Sequence, residues 1–106
     1  MAEYLQVTTA FENKEEALSM ARNLVQARLA ACAQVAGPVW SIYWWQGKTE
    51  EAEEWLCLVK TTRDVYPQLE ETIRRLHPYE VPEILATPVA MGSSSYLEWL
   101  RNALTQ

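Results

Sequence analysis

One histidine, two cysteines and a short acidic segment hold most of the chemistry available to this chain of 106 residues. The run His77-Pro78-Tyr79-Glu80-Val81-Pro82-Glu83 gathers an imidazole, a phenol and two carboxylates, and its prolines stiffen it. Imidazole with carboxylate oxygens suits a divalent first-row ion, so His77 and Glu80 are candidate metal ligands. Cys32 offers a soft sulfur for Cu(I) or a thiol sensor. Lys60 interrupts an apolar run and is placed to meet Glu80 or Glu83 in a cleft, where it would attract a small anionic ligand; Tyr79 and Trp44 are candidates for the same lining.

Each candidate also has a structural reading. A histidine before proline can interact with the last carbonyls of a helix. Cys32 sits among Ala30, Ala31 and Ala33, and Cys57 between Leu56 and Leu58, as small buried packing residues do. Lys60 can be an edge lysine that discourages aggregation, and Trp44 and Tyr79 can be interface packing. A single histidine gives no two- or three-histidine metal site within one chain. Neither cysteine has a base beside it in sequence, and three glycines form no phosphate-cradling loop, so neither a nucleophilic nor a nucleotide enzyme is indicated.

The elements that position these residues follow from pattern. Tyr4 to Ala10 reads as a strand. Asn13 with Glu16 opens a helix expected from Lys14 to about Ala30, carried by Ala17, Leu18, Ala21, Leu24, Val25 and Leu29. Cys32 to Val35 and Val39 to Gln46 read as one long strand broken at Gly37-Pro38 by a bend or bulge. Gly47 to Glu54 reads as a polar turn whose exposed tip carries Glu50, Glu51, Glu53 and Glu54, and Trp55 to Thr61 as the returning strand. Asp64 and Pro67 mark a second helix that Pro78 stops; Glu83 to Ala90 reads as a strand in which Pro88 points to a sheet edge or a bulge; Ser93 or Ser94 caps a short last helix. The order βαββαβ plus a helix is an α+β fold, the ferredoxin-like sandwich, in a single domain.

Two helices cover one sheet face, so a monomer should alternate apolar and polar residues along its strands. Here Trp40, Ile42 and Trp44 oppose Tyr43 and Trp45, and Trp55, Cys57 and Val59 oppose Leu56 and Leu58. Both faces are apolar, which calls for a partner surface unless the last helix folds back over the second face. A net charge of -5 and the lack of a basic cluster exclude nucleic acid as a partner. No apolar run approaches the roughly 20 residues that span a bilayer, so no membrane is expected. The start Met1-Ala2-Glu3-Tyr4 lacks the regions of a signal peptide, so a cytoplasmic protein with free thiols is expected.

Five ordered blocks carry a resemblance: Leu29-Ala30-Ala31-Cys32-Ala33, Ser41-Ile42-Tyr43-Trp44 with Gly47, Lys60-Thr61, His77 to Ile84, and Tyr96-Leu97-Glu98-Trp99. Together they resemble the CutA family of divalent-cation tolerance proteins. The resemblance implies a ferredoxin-like homotrimer joined through the long hairpin, a cytoplasmic role in tolerance to divalent metals, chiefly copper, and no catalytic activity. No cofactor is required, although copper or another divalent cation is an expected ligand. The family's architecture is also similar to that of PII signalling trimers, which leaves a small-ligand-binding trimer as the alternative. Family members credited with copper ligands pair a first-strand cysteine with two adjacent histidines; Thr8 and Leu76-His77 stand here instead, and only His77 remains of that set.

Overall fold

The computed structural model describes residues 3–105; Met1 and Ala2, part of the start read above, lie outside them. The chain runs β1 (Tyr4–Phe11), α1 (Lys14–Gln26), β2 (Cys32–Trp45), β3 (Lys48–Thr62), α2 (Tyr66–Leu76), β4 (Leu85–Pro88) and α3 (Ser94–Ala103). The strands form one antiparallel sheet in the order β2-β3-β1-β4. This is the α+β order expected from the sequence. Strand alternation sends Val7, Phe11, Cys57 and Val59 to the face where Leu24, Leu69 and Ile73 bury the helix stripes. Each large apolar side chain so buried contributes roughly 1.5–3 kcal/mol.

Several boundaries differ from expectation. The Asn13 Oδ1 accepts from the Glu16 N–H at 2.9 Å and starts α1 as read, but the helix ends at Gln26, four residues early. Arg28 adopts φ 61°, and the Leu29 N–H reaches back to the Leu24 carbonyl at 3.0 Å. A left-handed helix end usually announces itself with glycine; here a non-glycine residue fills it. Asp64 does not cap α2: the cap position is Val65, without a side-chain bond, while a bond with the Thr62 hydroxyl holds the Asp64 carboxyl below its usual range. β4 begins at Leu85, not Glu83, and pairs with β1 alone, so Pro88 does lie on an edge strand.

The largest correction concerns the acidic segment. Glu50, Glu51, Glu53 and Glu54 are not a loop; β3 starts at Lys48 and pairs them with Tyr43, Ile42, Trp40 and Val39. The turn is only Gln46-Gly47, with φ 52° and 80°, the two positive values a tight type I′ hairpin needs. β2 and β3 therefore form a long arm, and the molecule measures 44 × 26 × 23 Å. The expected irregularity is present: the register shifts between Ala36 and Val39, around a cis Gly37-Pro38 bond.

α3 does fold back on the second sheet face, where Leu100 is buried against β3 and Arg101 lies over the Tyr4 ring. It covers only one end of that face. Leu56 and Leu58 stay half-buried, Leu85 is exposed, and Trp40, Ile42 and Trp44 on the arm are 65%, 65% and 75% exposed.

Candidate functional site

His77 ends α2, and its N–H caps the Ile73 carbonyl at 2.9 Å. Its ring is buried, stacked on Phe11 at 4.2 Å between centroids and 12° between planes. Nδ1 lies 3.1 Å from the Tyr79 N–H and accepts from it, which leaves Nε2 protonated to donate to the Ala10 carbonyl at 2.8 Å. Both ring nitrogens are thus engaged with backbone. Burial lowers the pKa of this imidazole, against the opposing effects of the Ala10 carbonyl and the Glu54 charge.

The chain leaves His77 through Pro78, and Tyr79 turns towards the arm. Its hydroxyl donates to Glu54 Oε2 at 2.8 Å, so the loop after α2 is tied to β3 where the arm departs from the sheet. Burial and the Glu54 carboxylate push the Tyr79 phenol well above its ordinary value, so it stays a protonated donor. Between this loop and the arm lies an open cleft of about 770 Å³. The arm lines it with Ser41, Tyr43, Trp45 and Glu54; the loop adds Tyr79, Glu80 and Glu83, and Glu12 enters from the end of β1. Burial, with the Glu54 charge behind it, raises the Glu83 carboxyl.

Of the candidates read from sequence, Tyr79, Glu80, Glu83 and Trp44 meet at this cleft, with Trp44 near the arm's tip. His77 stands behind it as the support of Tyr79. Cys32 and Lys60 are elsewhere. They face each other across β2 and β3, four residues along β3 from Leu56, the partner of Ala10. Four residues of strand separate them from the His77 end by roughly 13 Å. The Lys60 ammonium donates to Gln34 Oε1 at 2.8 Å and does not meet Glu80 or Glu83. Cys32 is half-buried near the Tyr96 phenol, whose pKa is raised first by burial and then by the neighbouring Cys32 thiol.

The chemistry of the donors does not fit a resident metal within one chain. Among the described residues no three His, Cys, Asp or Glu side chains converge on a point, and the imidazole has no free lone pair. Both cysteines are free thiols. Burial pushes the Cys57 thiol up to about 11, and Cys32 is remote from the imidazole, so the geometry supplies no Cys-His nucleophile. Sequence reading missed Glu12, Glu54, Tyr43 and Trp45 as cleft residues. For Glu54 the cause was its assignment to a loop; a hairpin register counted from Gln46-Gly47 would have placed it on the face of Val39 and Ser41.

Comparison with known proteins agrees with this architecture. The chain is 48% identical over 101 residues to the divalent-cation tolerance protein CutA of Thermus thermophilus, spanning 95% of this chain and 96% of that one. It is 44% identical over 89 residues to the human protein CutA, of which it spans half the length and 84% of its own. The solved structure of the divalent cation tolerance protein (Cut A1) from Thermus thermophilus superimposes with a TM-score of 0.91 at 45% identity, covering 94% of this chain and 97% of that one. The model of the CutA1 divalent ion tolerance family matches residues 5–103, and the chain belongs to that family.

Proposed function

We propose that this chain serves tolerance to divalent cations, chiefly copper, as a single-domain cytoplasmic protein that works as a homotrimer without a catalytic step. The match to the tolerance family over residues 5–103 carries the function. The arm supports the assembly: Trp40, Ile42 and Trp44 sit side by side and exposed on one of its faces. Covering them is worth on the order of several kcal/mol per arm, enough to drive association once the entropy of docking is met. Among the described residues no helix is long and apolar enough to cross a membrane.

Direct contact with copper belongs to the same proposal and carries a geometric condition. A metal at His77 has to take Nδ1 from the Tyr79 N–H, with Glu80 as the nearest carboxylate partner in sequence. Cys32, at the other end of the sheet, would act as a separate soft donor.

Sedimentation at micromolar concentration, beside copper survival of a deletion strain carrying the wild type or a Trp40→Ser, Trp44→Ser variant, tests the reading. Wild type should sediment as a trimer and protect, and the variant should dissociate and protect less. A wild-type monomer, or a dissociated variant that protects fully, overturns it. Native mass spectrometry with copper reports on direct contact.

A further inference from the structure

We infer that Tyr79 is a positioning residue for assembly: it braces the arm at its root and so fixes the direction in which the arm meets a neighbouring copy of this chain. This rests on the trimer reading above and deepens it, by naming what orients the element that docks.

The root is the weakest section of the sheet. β1 ends at Phe11, opposite Trp55, so beyond this level the arm has two strands and no third. At the same level the β2–β3 ladder is interrupted: it passes from the Ala36–Leu56 pair to the Val39–Glu54 pair, skipping Gly37, Pro38 and Trp55. A two-stranded ribbon twists more strongly than a wide sheet and is marginally stable by itself. Held by its own ladder alone, an arm on such a joint would swing.

Two contacts hold the joint, one on each face. Glu54 and Trp55 are consecutive on β3 and point to opposite faces. On one face the Trp55 ring packs against Gly37, and the Lys14 ammonium sits 5.7 Å from a ring centroid of the indole. On the other, the Tyr79 hydroxyl donates to Glu54 Oε2 at 2.8 Å, in the first pair past the interruption. Tyr79 is itself seated against the end of β1. Its N–H donates to His77 Nδ1, its ring lies 4.8 Å from the imidazole, and the imidazole is stacked on Phe11 and bonded to the Ala10 carbonyl. Contacts therefore run from the last residues of β1 through His77 and Tyr79 to the first pair of the arm, and bypass the interrupted ladder.

Orientation matters because the docking residues lie out along the arm. From Val39 to Trp45 the strand extends about 20 Å, and Trp40, Ile42 and Trp44 are exposed on it, so a small change of angle at the root displaces them by several ångströms. An element already held in its docking geometry loses less freedom on association.

Subunit exchange tests the brace. Unlabelled and isotope-labelled full-length proteins are mixed, and native mass spectrometry follows the appearance of mixed trimers. Tyr79→Phe and Glu54→Ala should each speed exchange about tenfold or more, and the double variant should be no faster than either, because both remove the same bond. Glu54→Gln keeps an acceptor oxygen and should stay within about threefold of wild type. Leu24→Val, a core truncation towards the far end of α1, lowers stability without altering the brace and should leave the rate unchanged. Tyr79→Phe exchanging at the wild-type rate, Leu24→Val exchanging as fast as Tyr79→Phe, or Glu54→Gln exchanging as fast as Glu54→Ala overturns the inference. Sedimentation of the wild type separates this failure from that of the trimer: a wild-type monomer overturns the assembly and the brace together, whereas a wild-type trimer with unaltered exchange in Tyr79→Phe overturns the brace alone.

Discussion

Replacing His77 by alanine should cost this protein about 3 kcal/mol of stability, a figure that follows from what the ring touches. Truncation strands the buried Ala10 carbonyl and the Tyr79 N–H, which now meet Nε2 and Nδ1 at 2.8 and 3.1 Å. A buried polar group without a partner costs about 1–3 kcal/mol, and the lower end applies at Tyr79, where water can enter from the loop. Losing the stack on Phe11 adds about 0.5–1.5 kcal/mol. Urea unfolding at a fixed protomer concentration measures the sum, since association contributes to apparent stability. His77→Gln, which can return a donor to the Ala10 carbonyl, should recover part of the loss.

The same ring predicts a pH dependence. Burial depresses the His77 pKa below 6.5, so the unfolded chain takes up the proton first as pH falls. The contribution is therefore complete above about 6.5 and is lost as pH falls towards the folded value. Glu83 acts with the opposite sign, because its raised pKa makes protonation favour the folded state above 4.5. Subtracting the His77→Gln profile from wild type isolates the histidine. A loss under about 0.5 kcal/mol in His77→Ala, or identical pH profiles in the two proteins, would refute the argument.

Further outcomes follow from other contacts. In Gly37→Ala the new Cβ would lie 2.8 Å from Trp55 Cε3 and 3.2 Å from the Glu54 carbonyl, so thermal unfolding should report a loss of about 1–3 kcal/mol; an unchanged midpoint would mean that Trp55 gives way freely. Tyr79→Phe removes the bond to Glu54, and limited proteolysis should cut the loop at 78–84 faster, with stability lower by about 1–2 kcal/mol; equal cutting rates would show that the tie does not hold the loop. In the folded protein iodoacetamide at pH 8 should modify Cys32 before Cys57, which is fully buried and whose thiol is pushed up to about 11; peptide mapping that shows equal labelling contradicts this.

The order of elements was legible because periodicity and caps are local. Asn13 and Ser93 sit at the helix starts they mark, and Pro88 lies on an edge. What failed were ends set by tertiary packing. α1 stops at Gln26 because Leu29 and Ala30 are needed in the core, and a right-handed continuation would carry them round the helix and away from it. Four glutamates in five residues resemble a loop by composition, yet each pairs in register with a residue of β2, a pairing set by where the turn falls and not by composition. Their cross-strand partners are large: Trp40 even donates its indole N–H to Glu51 at 2.7 Å.

The candidate site was half legible for a related reason. The His77 to Glu83 segment is contiguous, so its concentration of chemistry shows in one dimension, and the cleft does include Tyr79, Glu80 and Glu83. Its opposite wall comes from the arm, whose facing residues depend on where the turn falls. With Gln46-Gly47 as the turn, Glu54 pairs with Val39 and shares a face with Ser41 and Tyr43, within reach of the Tyr79 hydroxyl. A turn displaced so as to slip β3 by one residue would exchange Glu54 for Glu53 or Trp55 at that position and flip every side chain of the strand. The sign of the cleft's charge therefore rests on a two-residue turn at the far end of the arm. Lys60 makes the same point from the other end of β3: the register that brings Glu54 to Tyr79 sets Lys60 opposite Cys32 and beside Gln34, so the strand that supplies the cleft with a carboxylate withholds from it the one cation the sequence had offered.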